Sequence, residues 1–562
     1  MWRVFFYLIT KKGADFMNKK WKVSVLFLIA ATVLAGCGSK SASAGTHDYA
    51  TKQTYNLMAN TEVETMDPSL ADDSTSLAQL ENTNEGLYHP NKTGKLMPEA
   101  ASKTIVSKDG MTYTFTIHKG MKWSNGDPVT AQNFVYGWRR SVNPTTKAPN
   151  AFLFAPIKNA NAIMNGKKSV KTLGVKAVNK TTFKVTLAKP APYLKQMTAL
   201  PAFFPQDKKV VEKYGKSYGT SSDKTVYNGP FVQKGWTGSN LTWKLKKNTN
   251  YWDKKTVHLT TVNMQVVQNS STALNLYQVK KLDDISLSGE QATQEKNNKD
   301  FYSSTANSMT YAVYNFKNKA MQNINIRKAI SLVLNRKQVT SKVLADGSIT
   351  PKGFVPAKLT ENPKTGADFT TDAAVANSVT QNKTLAKKYW AKGMKQLGKT
   401  KLTINLMCWD EGSNSQVAEY MQSEINQTLK GADVKESTLP KKSAITKMSS
   451  HTGFDMALTG WSPDFLDLMD VLQLEQTGNP YNFGSFSNKT FDKYMKAAIT
   501  TDATNSQARY DDYVKAEKVL MKQQGVAVID QGASTYLHNP KVKDAVSTTD
   551  GGTYLKKAYV VK

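Results

Sequence analysis

Apolar and polar residues alternate with period two in several short stretches of this chain and with a helical period in others. Tyr113–His118 (YTFTIH) puts Tyr113, Phe115 and Ile117 on one face and reads as a strand. Thr182–Leu187 (TFKVTL) and Leu241–Lys246 (LTWKLK) read the same way, the second running into a turn at Asn248-Thr249-Asn250. Gly120–Asp127 (GMKWSNGD) is turn chemistry. Thr130 can cap a helix on which Phe134 and Trp138 share one face, four residues apart. Ile330, Val333, Leu334, Val339 and Val343 predict a helix over Ile326–Leu344. Leu402–Met407 (LTINLM) reads as a buried strand, and Gln416–Leu429 as a helix. Strands mixed with helices throughout predict an α/β fold, and 562 residues allow two or three domains.

One apolar run does not belong to the folded part. From Met17, a start rich in lysine (Lys19, Lys20, Lys22) leads into Val23–Ala35, too short to span a membrane at ~20 residues. It has the length of a signal-peptide core. Leu34-Ala35-Gly36-Cys37 follows at once and resembles the lipobox of bacterial lipoproteins, which implies a diacylglycerol on Cys37 and a mature chain starting there. Two acyl chains anchor a protein stably where one does not. Met17 opens a complete signal peptide by itself, and Lys11-Lys12-Gly13 can be encoded by a purine-rich ribosome-binding site, so translation is expected to start at Met17. Cys37 and Cys408 are the only cysteines; with Cys37 lipidated, no disulfide can form within the chain. Cys408 reads as a small buried hydrophobe.

The net charge is +31. Residues 1–36 hold six Lys/Arg and one Asp, so removing them takes away five charges and leaves +26. Secretion, scattered lysines and the lack of an arginine-rich stripe argue against nucleic acid. An anionic surface outside the membrane, wall polymer or lipid headgroup, fits better, as does a basic surface with no partner at all.

Catalytic constellations are missing. The six histidines (His47, His89, His118, His258, His451 and His538) are dispersed, with no HExxH spacing, so no metal and no cofactor are expected. Neither a GxSxG elbow nor a Walker A loop occurs, and no enzyme is expected. The acidic pairs Asp72-Asp73, Asp283-Asp284 and Asp511-Asp512 read as solvated loop or cap charges.

The stretch from Trp123, WSNGDPVTAQNFVYGWRRSVNPTTKAP, resembles the signature of family 5 extracellular solute-binding proteins, the oligopeptide-binding group. The likeness continues in order through Leu173–Ala177 (LGVKA), Asn228–Phe231 (NGPF), Asn250–Trp252 (NYW), Asn325–Ala329 (NIRKA), Leu402–Leu406 (LTINL) and the tail Ala558–Lys562 (AYVVK). The resemblance implies the type II periplasmic-binding-protein fold: two lobes with a hinge, plus an extra subdomain in the N-terminal lobe. The expected division is 1–36 signal peptide; 37–48 lipidated tether; 49–85 with 207–304 and 531–562 lobe I; 86–206 inserted subdomain; 305–530 lobe II.

It also implies a function: capture of oligopeptides and delivery to the permease and ATPase subunits of an ABC importer, by a monomer anchored on the outer face of a bacterial membrane, Gram-positive in type. In the family, a strand pairs with the peptide backbone and an aspartate after a Gly-Trp pair meets the free α-amine. In Phe454–Asp464 (FDMALTGWSPD) these fall on Gly460, Trp461 and Ser462, and on Asp464. From position alone Asp464 could instead cap the turn Asp464-Phe465-Leu466. The backbone facing the peptide from the other lobe falls near Asp72, Asp73 and Ser74, where an ordinary acidic loop is the plain alternative. Backbone pairing reads all peptides alike, and a fixed carboxylate sets the register.

Two positions depart from the enteric pattern: Leu458 stands where those members place an arginine that can meet the peptide C-terminus, and Asn150 where they place a pocket tyrosine. Without the arginine, longer peptides are expected to be accepted. Competing readings are a surface adhesin or wall-associated basic protein, and a receptor for one signalling peptide; the fold alone does not choose among ligands.

Overall fold

The computed structural model describes residues 48–91, 94–287, 289–410, 412–547 and 553–562. The expected signal segment, with Met17 and Cys37, lies outside the described residues.

Ten strands form one hydrogen-bonded sheet, in the order Ala432–Leu439, Leu402–Trp409, Met456–Trp461, Phe301–Tyr314, Val526–His538, Asp284–Leu287, Thr54–Ala59, Thr261–Val266, Thr242–Lys247 and Phe231–Lys234. Two of them, Phe301–Tyr314 and Val526–His538, are long and antiparallel, paired from Phe301↔Leu537 to Val313↔Val526. Their ladder breaks between Thr305↔Ala533 and Met309↔Gln531, an irregularity that bends paired strands. Beyond the break Met309–Tyr314 carries Met456–Trp461; before it Thr535–His538 carries Asp284–Leu287. The two long strands thus pass from one half-sheet into the other. The expected boundaries at 304/305 and 530/531 fall inside them.

A separate four-stranded sheet lies within 86–206, in the order Ala101–Val106, Thr112–Ile117, Thr182–Thr186, Val175–Ala177. The helix Ala131–Ser141 packs on it. Asn133 accepts from the Thr130 N–H at 2.7 Å, closing the first turn. Phe134, Trp138, Phe115 and Phe183 are fully buried, with Trp138 edge-on to Phe183 at 4.9 Å.

Tyr113–His118, Thr182–Leu187 and Leu241–Lys246 form strands within one residue of their expected ends, and the strand expected at Leu402–Met407 runs two residues farther, to Trp409. Leu402–Trp409 is flanked by strands on both sides and buries Cys408, whose Sγ lies 3.3 Å from Thr438 Oγ1. The helix expected over Ile326–Leu344 is instead broken. Ile324–Val333 is helical, Leu334 turns extended, and Asn335 caps a new helix by accepting from the Gln338 N–H. The break lets Arg336 fold inward, where it donates to the carbonyls of Val528, Ser331 and Val379.

Two acidic pairs are not the solvated charges expected. Asp284 accepts from Tyr55 Oη at 2.9 Å and shares a hydrogen bond with His538 Nδ1 at 2.8 Å, while Asp283 binds Asn56 and Asn539. Asp512 lies inside the helix Ser506–Gln523, buried, with Lys515 Nζ at 3.3 Å. The period of a sequence places charges on a face but cannot tell a solvent face from one covered by another element.

Candidate functional site

The strand Met456–Trp461 ends with one side open. Its parallel pairing with Leu402–Trp409 stops at Met407↔Ala457, whereas its antiparallel pairing continues to Tyr311↔Thr459, Thr310↔Gly460 and Met309↔Trp461. Thr459, Gly460 and Trp461 therefore have a strand on one side only, among the described residues. A strand edge of this kind offers N–H and C=O groups to an added strand. Gly460 does not need a left-handed backbone; a Cβ there would sit 3.2 Å from the Met309 carbonyl, so a larger residue would crowd the neighbouring strand.

The chain then turns through Ser462, exposed, and Pro463, buried, to Asp464. The turn is held from below by Asp470. Its Oδ2 accepts from the Asp464 N–H at 2.9 Å and from Trp461 Nε1 at 3.2 Å. Burial pushes the Asp470 carboxyl up to about 7, with the nearby Asp464 charge adding to the shift. Farther on, Asp467 caps the helix Leu468–Leu472 and grips Arg509 through two hydrogen bonds, 2.6 and 3.0 Å. Phe465 stacks on Tyr193 at 5.1 Å and belongs to the apolar core of the 86–206 segment.

Asp464 keeps a face open to solvent, yet the protein around its carboxyl displaces enough water to raise its pKa. No donor or cation pairs with that carboxylate among the described residues. Its carboxylate accepts no hydrogen bond from the turn Asp464-Phe465-Leu466 among the described residues; Asp467 caps the helix that follows, Leu468–Leu472. Asp464 and Asp470 border a cavity of about 280 Å³ whose walls are Phe152, Leu153, Tyr193 and Met197 from one side and Trp461 and Tyr481 from the other. Lys189 also lines the cavity but makes no ion pair with either acid among the described residues, and two carboxylates at the edge of an apolar pocket suit a cation carrying an apolar group.

The residues expected from the other lobe sit at the start of the helix Ser74–Thr83. Asp73 is its cap, accepting from the Ser76 N–H at 2.7 Å; Asp72 and Ser74 are exposed beside it. Glu64, Asp72 and Asp73 bring carboxylate oxygens within 4.8 Å of one another. Asn150 reaches this loop, donating from Nδ2 to the Ala71 carbonyl at 3.2 Å. Its segment, Pro149–Phe154, also supplies Phe152 and Leu153 to the cavity of Asp464. One short segment thus runs from the residue before Asp72 to the cavity of Asp464. Leu458 is buried among apolar side chains, two residues before Gly460 and on the same face.

Sequence reading missed Asp470, Phe465 and Tyr193. A buried acid six residues past Asp464 has no local signal, because what buries it comes from distant segments.

The model of bacterial extracellular solute-binding proteins, family 5 (middle region), matches residues 95–483, well over half of the chain. A dipeptide-binding protein of Lactococcus lactis subsp. cremoris is 37% identical over 96% of this chain and 98% of its own length. The Listeria monocytogenes OppA structure bound to peptide superposes with a TM-score of 0.72 at 36% identity, covering 91% of this chain and all of that one. The substrate-binding domain of an oligopeptide ABC transporter from Bacillus anthracis gives 0.73 at 36% identity, covering 92% and 100%. The fold is the two-lobe periplasmic-binding fold, and the chain belongs to the bacterial extracellular solute-binding proteins of family 5.

Proposed function

We propose that this protein captures oligopeptides outside the cell and delivers them to the permease and ATPase subunits of an ABC importer. The observation that carries the reading is Asp464: an unpaired carboxylate, raised by burial, one turn beyond a strand open on one side. A peptide backbone adds along Thr459–Ser462, and its α-ammonium meets Asp464 with Asp470 behind it. The apolar cavity beside them takes the first side chain. Asp72, Asp73 and Ser74 approach the backbone from the other lobe, and Asn150 lines the path between them. The lobes are 49–85 with 207–304 and 531–562, and 305–530, with 86–206 inserted in the first. With Leu458 in place of a cation the C-terminus is not fixed, and longer peptides are accepted.

The mature chain starts at Cys37, lipid-anchored on the outer face of a Gram-positive type of membrane, which mass spectrometry of the cell-derived N-terminus tests. The role is binding, not catalysis.

Titration calorimetry with one peptide, its amine free or acetylated, tests the site. Acetylation should cost at least ~30-fold in affinity, the low end of ~2–5 kcal/mol for losing one partner of a buried charge pair. Equal affinities would remove the ammonium role from Asp464. A second reading, attachment to anionic wall polymers, is favoured by the charge of +26 on residues 37–562.

A further inference from the structure

One face of the first half-sheet is floored by lysine and amide side chains. Four strands align Lys234, Lys244, Asn263 and Asn56 in a single row: Lys234↔Lys244, Lys244↔Asn263 and Asn263↔Asn56 are register partners. Neighbours in such a row project from the same side of the sheet. The next row along brings Thr242 opposite Gln265. Trp243 and Leu245, the residues between, point the other way into the core. Lys281 stands at the rim, two residues past the turn that ends the helix Ser270–Gln278. Together these residues line an open groove of about 500 Å³.

Lys234, Lys244 and Lys281 are exposed and have no ion-pair partner among the described residues. Lys246, two residues beyond Lys244 on the same face, donates to Thr261 Oγ1 at 2.8 Å. The carboxylate beside the row, Asp283, is already satisfied: Oδ2 accepts from the Asn56 N–H and Nδ2 at 2.8 and 2.7 Å, and Oδ1 accepts from Asn539 Nδ2 at 2.8 Å. Two lysines directly opposite each other in an antiparallel pair repel, at ~0.2–1 kcal/mol. Asp283 stands at the Asn56 end of the row, and no carboxylate pairs with Lys234, Lys244 or Lys281 among the described residues, so the lysine end of the row is complementary to an anion brought from outside.

We propose that this groove is a docking surface for a linear polyol-phosphate polymer, one phosphodiester charge per repeat with hydroxylated spacers between. Ammonium groups meet phosphates as point charges. The spacers hydrogen-bond the side chains of Gln265 and Thr242 and the carbonyl oxygen of Asn263, whose Nδ2 is already held by Asn56 Oδ1 at 2.8 Å. Among the described residues the one aromatic that lines the groove is Trp243, and its ring is buried in the core, where a sugar cannot stack on it. The surface lies on the first half-sheet, away from Asp464, and the proposal is independent of the peptide reading.

Binding of the full mature chain to immobilised poly(glycerol phosphate) tests it across a salt series. The triple variant Lys234→Gln, Lys244→Gln, Lys281→Gln should lose at least tenfold in affinity. Its log–log salt slope should flatten by roughly one for each phosphate that is no longer neutralised. A control variant, Lys387→Gln, Lys388→Gln, Lys392→Gln, removes equal charge from exposed positions on the helix Lys383–Leu397 and should lose less than threefold. The control variant should keep the wild-type thermal midpoint, and the groove variant, relieved of the Lys234/Lys244 repulsion, should not fall below it. Equal losses in the two triple variants would overturn the proposal, reducing the attraction to total charge. Tighter binding of heparin through the same three lysines would overturn the phosphodiester assignment.

Discussion

The backbone N–H of Asp464 donates to Oδ2 of Asp470 at 2.9 Å, so a buried carboxylate holds the turn that carries a solvent-facing one. The same oxygen receives Trp461 Nε1 at 3.2 Å, which ties the end of the open strand to the turn carrying Asp464. Positioning and charge are combined in Asp470 and can be separated. Asp470→Asn keeps a carbonyl oxygen for both donors and loses the charge; Asp470→Leu loses both. For a peptide with a free amine, Asn should cost about threefold to tenfold and Leu ~30-fold or more. For the acetylated peptide the Asn variant should match the wild type while Leu stays weaker. Identical losses for Asn and Leu would mean that Asp470 acts through charge alone.

Peptide affinity should depend on pH with a definite sign. An ammonium is held by ionised carboxylates, and burial raises Asp464 and lifts Asp470 to about 7. Affinity should therefore fall as pH drops through 7, as Asp470 takes up a proton. It should fall again above ~8, where the peptide amine deprotonates. Calorimetry from pH 5 to 9 checks this. The Asp470→Asn variant should shift the acid limb to lower pH. A flat profile between pH 5 and 8 would exclude the paired-carboxylate site.

Local pattern made the strands and most helices legible, because Tyr113–His118 and Leu402–Met407 carry their own alternation. It could not find the break at Leu334, which depends on Asn335 capping a new helix and on Arg336 reaching the Val528 carbonyl, far along the chain. The motif around Gly460 and Asp464 was legible through its residues. Asp470 was not, since its burial comes from packing. Phe465 looked like one more apolar residue after the motif, and only the fold puts it against Tyr193.

Glu475 predicts how stability follows pH. It is fully buried, neither carboxylate oxygen has a hydrogen-bond partner, and burial pushes it up to about 8. The folded state then holds a proton that the unfolded chain releases above ~4.3. Stability contributed by that proton is present at low pH and is lost as pH rises toward 8. Glu475→Gln removes this dependence. In urea unfolding, the stability of Gln relative to Glu should rise between pH 5 and 8; parallel profiles would show that Glu475 is ionised in the fold.

Gly219 is required by a close approach as well as by its backbone. Its φ is +75°, and a Cβ would lie 2.5 Å from the Asp67 nitrogen. Asp67 is the buried partner of Arg140, at 2.5 and 2.6 Å, and Gln206 supports the guanidinium at 2.9 Å. Gly219→Ala must move Asp67 and weaken this pair. The cost should be about 3 kcal/mol, from backbone strain and partial loss of the pair. The urea midpoint should fall with the slope unchanged.

Arg327, in the Asn325–Ala329 motif, is a buried cation whose guanidinium donates to four backbone carbonyls. Nη2 and Nε donate to Gln523 and Gln524 at 2.8 and 3.0 Å, at the end of the helix Ser506–Gln523. Nη1 donates to Met321 and Gln322 at 2.7 and 2.8 Å, at the end of the helix Lys319–Gln322. The guanidinium thus caps two helix C-termini at once, where unpaired carbonyls and the negative ends of two dipoles converge. Phe316 lies against it at 4.5 Å. This is why a cation is tolerated there although burial lowers its pKa to about 10. Lysine has the charge but not the planar fork, so Arg327→Lys should cost about 2 kcal/mol. Arg327→Met leaves the carbonyls without donors and should cost about 4 kcal/mol. The order Met worse than Lys identifies capping as the dominant role. The reverse order, measured by urea unfolding at pH 7, would mean that burying the charge costs more than leaving the carbonyls unpaired and that water can replace the guanidinium.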